Sequence, residues 1–232
     1  LMSVNFSKLE EIIEVKFDDA SLLQQAFTHR SYLNEDTKWR KGHNERLEFL
    51  GDAVLELVVS DYLFAAYPEE PEGFMTNLRA ALVNADTLSG VARDLNFNDF
   101  ILLSKGESKD LGRGRNYILA NAFEALIGAI YLDQKYNKAK KFIEKFLIES
   151  QLERIIADKS FKDPKSSFQE KAQATIGITP IYKLLEEWGP DHDKHFRMGL
   201  FLGEEKIAEG EGHSKQEAEL IAAKNGLEAK QW

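Results

Sequence analysis

Apolar residues recur at helical spacing through the first two-thirds of this chain, and in the last third they gather into shorter runs of strand character. Leu9, Ile12 and Ile13 share one face, and Leu22, Leu23 and Ala26 another, predicting short amphipathic helices over 9–17 and 22–28. A longer run through Leu47, Phe49, Leu50, Val54, Leu55, Leu57, Val58 and Val59 predicts a largely buried helix, with Asn44 placed to cap it after a polar loop over 34–42. Pro68, Pro71 and Gly73 mark 68–73 as a turn. Further helices are predicted over 75–83, 87–95, 118–129 and 142–152, so residues 1–154 are expected to form an all-α domain. The charged stretch 155–165, broken by Pro164, holds an expected linker over 155–162. Beyond it the alphabet changes. A helix over 166–175, strands over 181–187, 195–202 and 206–211, and a helix over 214–229 give an α-β-β-β-α order, a small α+β domain over 163–232.

Carboxylates interrupt the apolar pattern where burial is expected. Glu45, Glu48 and Asp52 lie three and four residues apart and therefore on one face of the central helix. Asn121 and Glu124 share a face of a second apolar helix. The positive end of the first helix favours ionised acids there. Clustered carboxylates still repel and resist desolvation unless cations or donors offset them. A solvated face paired with bases such as Arg46 accounts for one such row, and less well for two rows on two apolar helices. Two such helices facing one another form an oxygen-lined site suited to Mg²⁺ or Mn²⁺.

Cysteine is absent, which excludes disulfides, thiolate metal sites and cysteine nucleophiles and is compatible with a reducing cytoplasm. No apolar run reaches membrane-spanning length, and no basic segment precedes an apolar one at the N-terminus, so a cytoplasmic location without membrane insertion is expected. The formal charge of −9 by itself argues against a nucleic-acid partner. A carboxylate metal site supplies part of that acidity, and binding follows where the bases lie rather than their total. His29 and His43 lack a neighbouring nucleophile pattern and are expected to be hydrogen-bonded structural residues. Arg113 and Arg115, beside Gly112 and Gly114, are candidate phosphate holders without a dinucleotide fingerprint.

The stretch 44–55, read Asn-Glu-Arg-Leu-Glu-Phe-Leu-Gly-Asp-Ala-Val-Leu, resembles the most characteristic motif of the ribonuclease III family, and 118–126 resembles that family's second metal-binding helix. The resemblance implies metal binding by Glu48, Asp52 and Glu124, with Glu45 a further acid of the catalytic site. Glu72 aligns with an acid kept near the family's catalytic centre; an exposed turn acid explains it equally well. Phe49 resembles an aromatic that packs into a partner subunit, which implies a homodimer. Asn121 stands where the family carries aspartate. Its amide oxygen coordinates a metal without bringing charge, so impaired catalysis is expected. Leu1 ahead of Met2 reads as an expression remnant, which leaves Asn121 either an engineered substitution or a natural variant.

In the last third, Ser166, Gln169, Glu170 and Gln173, then Gly189-Pro190-Asp191-His192, then Ser214 and Lys215 resemble a double-stranded RNA-binding domain. The resemblance implies that Ser166, Gln169, Glu170, Gln173, His192, Ser214 and Lys215 contact double-stranded RNA through its shape, over about 16 base pairs. Residues 163–232 carry 13 acidic against 9 basic side chains, with Gln216 where a base is common and Asp191 and Asp193 by the contact loop. Weaker, more salt-sensitive RNA binding is therefore expected. The whole implies Mg²⁺-dependent hydrolysis of double-stranded RNA to 5′-phosphate and 3′-hydroxyl ends, as in ribosomal RNA precursor maturation. The alternatives are a double-stranded RNA-binding protein that keeps the fold without the activity, and a degenerate second domain used for protein contacts.

Overall fold

The computed structural model describes residues 4–36, 38–109, 112–158, 161, 163–190 and 193–232, the side chains of Lys109 and Arg113 excepted. The chain divides into two units, Leu1–Phe161 and Lys162–Trp232. The first contains α1 (Phe6–Ile13), α2 (Ala20–Ala26), α3 (Glu45–Ala66), α4 (Glu72–Val83), α5 (Ala85–Asp94), α6 (Arg113–Ile143) and α7 (Glu149–Ala157), with a π-helical turn, Glu144–Ile148, joining the last two. An isolated bridge between Thr28 and Leu102 is the only extended pairing among this unit's described residues.

Local chemistry sets the boundaries. The Asn5 side chain accepts the Lys8 N–H at the start of α1, and Glu14 in the left-handed region ends it, so the helix begins and stops earlier than the apolar spacing alone predicts. Val15 and Phe17 continue the pattern as buried loop residues. Asp19 caps α2 through the Ser21 N–H. Asn44 does not cap α3 with its side chain. It is only 4% exposed, and its backbone N–H donates to the Thr28 carbonyl at 2.9 Å. The ring Nδ1 of His43 instead accepts the Glu45 N–H in a long 3.4 Å bond. The expected turn at 68–73 ends sooner, because Pro71 serves as N-cap and Glu72 already opens α4. The charged stretch expected as linker is helical to Ala157. Ile155 is buried in the first unit's core, and Phe161 packs edge-on against Phe74 with centroids 5.2 Å apart. These scattered apolar residues outweigh the charges around them.

The core of the first unit forms where α3 crosses α6. At that crossing both helices present glycine. A Cβ added to Gly51 would stand 1.8 Å from the Glu124 carbonyl oxygen, and one added to Gly128 would stand 2.2 Å from that of Leu47. Each glycine thus receives the backbone of the opposite helix one turn back. Leu47, Leu55, Val58, Phe123 and Ile127 close around the contact and are buried.

The second unit contains α8 (Pro164–Ile176), β1 (Ile181–Trp188), β2 (His195–Leu202), β3 (Glu205–Gly212) and α9 (Lys215–Lys230). The sheet is antiparallel in the order β1-β2-β3. Asp163 caps α8 ahead of Pro164, and Ser214 caps α9 by accepting the Glu217 N–H. Phe168, Ala172, Leu200, Leu202 and Ala222 make its core, with Trp232 tilted against Phe168 at 5.1 Å.

The crossing yields a stability prediction. Gly128→Ala forces a methyl group into backbone and should destabilise the first unit at or beyond the upper end of the roughly 1–3 kcal/mol typical of over-packing. Urea unfolding of the full chain would read this as a lower midpoint at similar slope, whereas Gly73→Ala, on α4 with nothing within 4 Å, should leave the midpoint unmoved or slightly raised.

Candidate active site

The Gly51 contact lies between Glu48 and Asp52 in sequence and meets the backbone of Glu124, so the close approach of α3 and α6 is also what gathers the acids. At about 100° per residue, α3 shows three arcs: a core arc with Leu47, Gly51 and Val58, an acidic arc with Glu45, Glu48 and Asp52, and an outer arc with Phe49, Leu57 and Phe64. The second helix brings Asn121 and Glu124 to the acidic arc. The Asn121 side chain lowers the pKa of the Glu48 carboxylate as a hydrogen-bonding neighbour, and both Glu48 and Asp52 act on Glu124 by their charge.

Burial dominates the electrostatics. Glu48 is raised above the ordinary carboxylate range first by burial, then by the charge of Glu45; the bond to Asn121 opposes this, and Asp52 adds to it. Glu124 is pushed up to about 7, again by burial first and then by Asp52 and Glu48. The helix-terminus effect expected to keep these acids ionised is therefore outweighed at Glu48. Such a cluster of oxygens, with one carboxyl pushed up to about 7 by burial and then by its neighbours, is short of positive charge. That shortage fits a hard divalent cation.

The remaining candidates divide. Glu45 lies at the outer edge, half exposed, 3.5 Å from Arg30 and 3.8 Å from His43, so its basic neighbour is Arg30 rather than Arg46. Glu72 does not join the cluster. On α4 it accepts a 2.7 Å hydrogen bond from the Thr76 hydroxyl and lines a cavity with Ser60, Asp61, Met75 and Arg79. Asp61 is nine residues beyond Asp52, a rise of about 13 Å along α3. Phe49 is 82% exposed and stands over an open cavity that includes Leu22, Leu50 and Leu132. His29 is structural: its Nδ1 accepts the Ser31 N–H, and burial lowers its pKa. Arg115 donates from Nε to Asn98 at 2.8 Å, and the Arg113 side chain lies outside the described residues.

In the second unit, Gln169, Glu170 and Gln173 are exposed on α8, away from buried Phe168 and Ala172. The Ser166 hydroxyl is bonded to Asp163 at 2.7 Å, and the Ser214 oxygen is spent on the α9 cap. Lys215 opens α9 with its ammonium 5.7 Å from the Phe196 ring centre. His192 lies outside the described residues. Sequence reasoning missed Gly51 and Gly128 as determinants of the site. Glycines inside two strongly apolar helices, where each costs about 1 kcal/mol relative to alanine, were the available signal.

Comparison with known proteins agrees with both halves. A family profile described as ribonuclease-III-like matches residues 19–151, and the double-stranded RNA binding motif matches 164–230. Ribonuclease 3 of Streptococcus equi subsp. zooepidemicus is 43% identical over 224 residues, covering 95% of this chain and 96% of that protein. The chain belongs to the ribonuclease III family. Ribonuclease 3 of Borreliella burgdorferi is 43% identical over 223 residues, covering 96% of this family member and 90% of the relative. The solved nuclease domain of Campylobacter jejuni ribonuclease III superposes with a TM-score of 0.58 at 41% identity, over 63% of this chain and 99% of that domain, and includes a region involved in dimer formation there. A helical nuclease domain is thus followed by a double-stranded RNA-binding motif. Among the described residues, no helix is long and apolar enough to cross a membrane.

The raised carboxyl of Glu124 sets a pH dependence. Between the ordinary value of 4.5 and about 7 the folded, metal-free protein holds a proton that the unfolded chain has released. Its stability should therefore fall as pH rises through that window. Thermal unfolding in chelator from pH 4.5 to 8 should show this fall, and Glu124→Gln, neutral throughout, should flatten it.

Proposed function

We propose that this ribonuclease III family member is a divalent-metal-dependent endonuclease of double-stranded RNA, with Mg²⁺ as the working ion and Mn²⁺ a substitute. The observation that carries this reading is the gathering of Glu48, Asp52, Asn121 and Glu124 at one buried helix crossing, in a chain that also carries the double-stranded RNA binding motif. Glu48, Asp52 and Glu124 hold the cation through carboxylate oxygens and Asn121 through its amide oxygen, with Glu45 beside them at the rim. When bound, the ion supplies polarisation of the phosphate and activation of water. Water oxygen bonds to phosphorus as the bond to the 3′ oxygen breaks, leaving a 5′-phosphate and a 3′-hydroxyl. Glu124, held near neutrality without metal, gives up its proton on binding.

Asn121 weakens this site in a definite way. Its amide satisfies Glu48 in the absence of metal, and it contributes no charge when metal arrives. An aspartate there would raise the demand for a cation. The second unit reads A-form shape through the exposed Gln169, Glu170 and Gln173, with Lys215, Ser166, Ser214 and His192 completing the surface. Phe49, with Leu57 and Phe64 further along the same arc, seats a second copy of the chain. Family membership supports a role in ribosomal RNA precursor maturation and a cytoplasmic location.

Two outcomes are expected. End-labelled, fully paired RNA in Mg²⁺ should be cut faster by Asn121→Asp than by the parent chain, by roughly tenfold or more, the equivalent of about 1.4 kcal/mol of barrier. Equal, rapid cleavage by both forms would show that the amide suffices, and filter binding without cleavage by either would favour a non-catalytic RNA binder. Separately, Phe49→Ala removes two symmetry-related side chains worth about 1.5–3 kcal/mol each, so sedimentation equilibrium should show dimer association weakened at least about 100-fold with an unchanged circular dichroism spectrum.

A further inference from the structure

The second unit holds a side-chain cluster that the proposed RNA contacts do not include. Asp193 lies between β1 and β2, His195 opens β2, and His213 follows the last residue of β3. Phe196 pairs with Gly212 across the antiparallel ladder, so His195 and His213 occupy the next facing positions. Their ring centroids are 4.2 Å apart. One carboxylate oxygen, Asp193 Oδ1, stands 3.6 Å from His195 Nε2 and 3.5 Å from His213 Nδ1. The three donor atoms all fall within 4.8 Å of one another.

Those separations discriminate between two chemistries. They are too long for N–H···O hydrogen bonds, which close to about 2.7–3.2 Å, so a proton shared between carboxylate and imidazole does not set them. They do suit ligands of one ion: around Zn²⁺ with bonds of about 2.0–2.1 Å, tetrahedral donor atoms stand roughly 3.3 Å apart. Each donor is also held from outside the cluster. The His195 ring stacks on Trp188 at 5.5 Å and 12°, the Asp193 N–H donates to the Pro190 carbonyl at 2.9 Å, and the His213 N–H donates to Glu217 at 2.7 Å. Asp193 and His213 side chains are 60% and 65% exposed, which leaves the remaining coordination positions open to water.

We propose that Asp193, His195 and His213 form a binding site for a borderline divalent cation, Zn²⁺ foremost. Two imidazoles with one carboxylate select such an ion over Mg²⁺, the reverse of the all-oxygen cluster on α3 and α6. Ligation ties the β1–β2 connection to the turn that starts α9.

The test uses the full chain, stripped with chelator and dialysed against micromolar Zn²⁺ with millimolar Mg²⁺ to occupy the oxygen cluster, with zinc per chain read by atomic emission. One retained equivalent is expected. His213→Gln, and independently Asp193→Asn, should weaken retention at least tenfold, whereas Glu48→Gln in the first unit should leave it unchanged. Both second-unit substitutions are at exposed side chains, and thermal unfolding without metal checks that each variant is folded. Co²⁺ in place of Zn²⁺ should give the intense visible absorption of a four-coordinate site. Absence of retained zinc, retention untouched by both second-unit variants, or loss caused by Glu48→Gln would each overturn the proposal.

Discussion

The close approach of α3 and α6 at Gly51 and Gly128 is the constraint on which the catalytic unit depends. With a side chain at either position the two backbones could not come within reach, since the nearest carbonyl oxygens stand 1.8 and 2.2 Å from where a Cβ would lie. The spacing is reciprocal: Leu47 and Gly51 on one helix, Glu124 and Gly128 on the other, each a carbonyl followed four residues later by a glycine. The glycines therefore sacrifice local helix propensity for tertiary contact. Because Glu48 and Asp52 bracket one glycine and Glu124 lies against it, chemistry and packing are set by the same contact. A chain that loosened the crossing would lose core and site together.

Bringing carboxylates into that crossing raises the free energy of the metal-free fold. Burial and mutual repulsion drive Glu124 to about 7 and lift Glu48, and no ammonium or guanidinium ion pair with Glu48, Asp52 or Glu124 occurs among the described residues. The unfavourable electrostatics are the other side of cation affinity, because an ion that binds only the folded protein recovers them as stability. Asn121 changes this balance at both ends. It relieves Glu48 when the site is empty of metal and reduces the field that attracts the ion. On the proposed metal reading, stability without metal and competence with it are therefore opposed at this residue.

Much of this was legible in the sequence because two periodicities are written strongly in it. The 3.6-residue spacing of apolar residues marked α3, α5 and α6, and the 195–202 strand was marked by its run of apolar residues to its last residue. The acidic row was visible because it broke that spacing. What was not legible were relations between elements. That Gly51 meets Glu124 depends on the register of two helices distant in sequence. The capping of α3 passes from Asn44 to His43 because Asn44 is drawn inward by the Thr28 carbonyl. Glu72 was read as a turn residue from neighbouring prolines, yet Pro71 takes the extended N-cap position, and the helix starts at once. Ile155 and Phe161 looked like linker because charge surrounds them, and only the first unit's core shows what they cover. Asp193, His195 and His213 are unremarkable by spacing and meet only through strand pairing.

The acidity of the second unit also acquires a different meaning once its ion pairs are seen. Lys165 pairs with Glu219, Lys194 with Glu187, Arg197 with both Glu186 and Glu211, Lys206 with Glu209, and Lys230 with Glu205. Five of the nine bases in 163–232 are thus already engaged with the unit's own acids. The slope of affinity against salt is set by how many phosphates the protein neutralises, at about 0.9 per contact for duplex DNA. A surface with few uncommitted bases neutralises few, and added salt also screens the repulsion between RNA and a net-negative domain. The composition argues for weak binding, whereas the engaged bases argue against strong salt sensitivity. On the proposed reading, recognition rests on exposed hydrogen-bonding groups such as Gln169 and Gln173, whose contacts depend on the shape of the duplex more than on its charge.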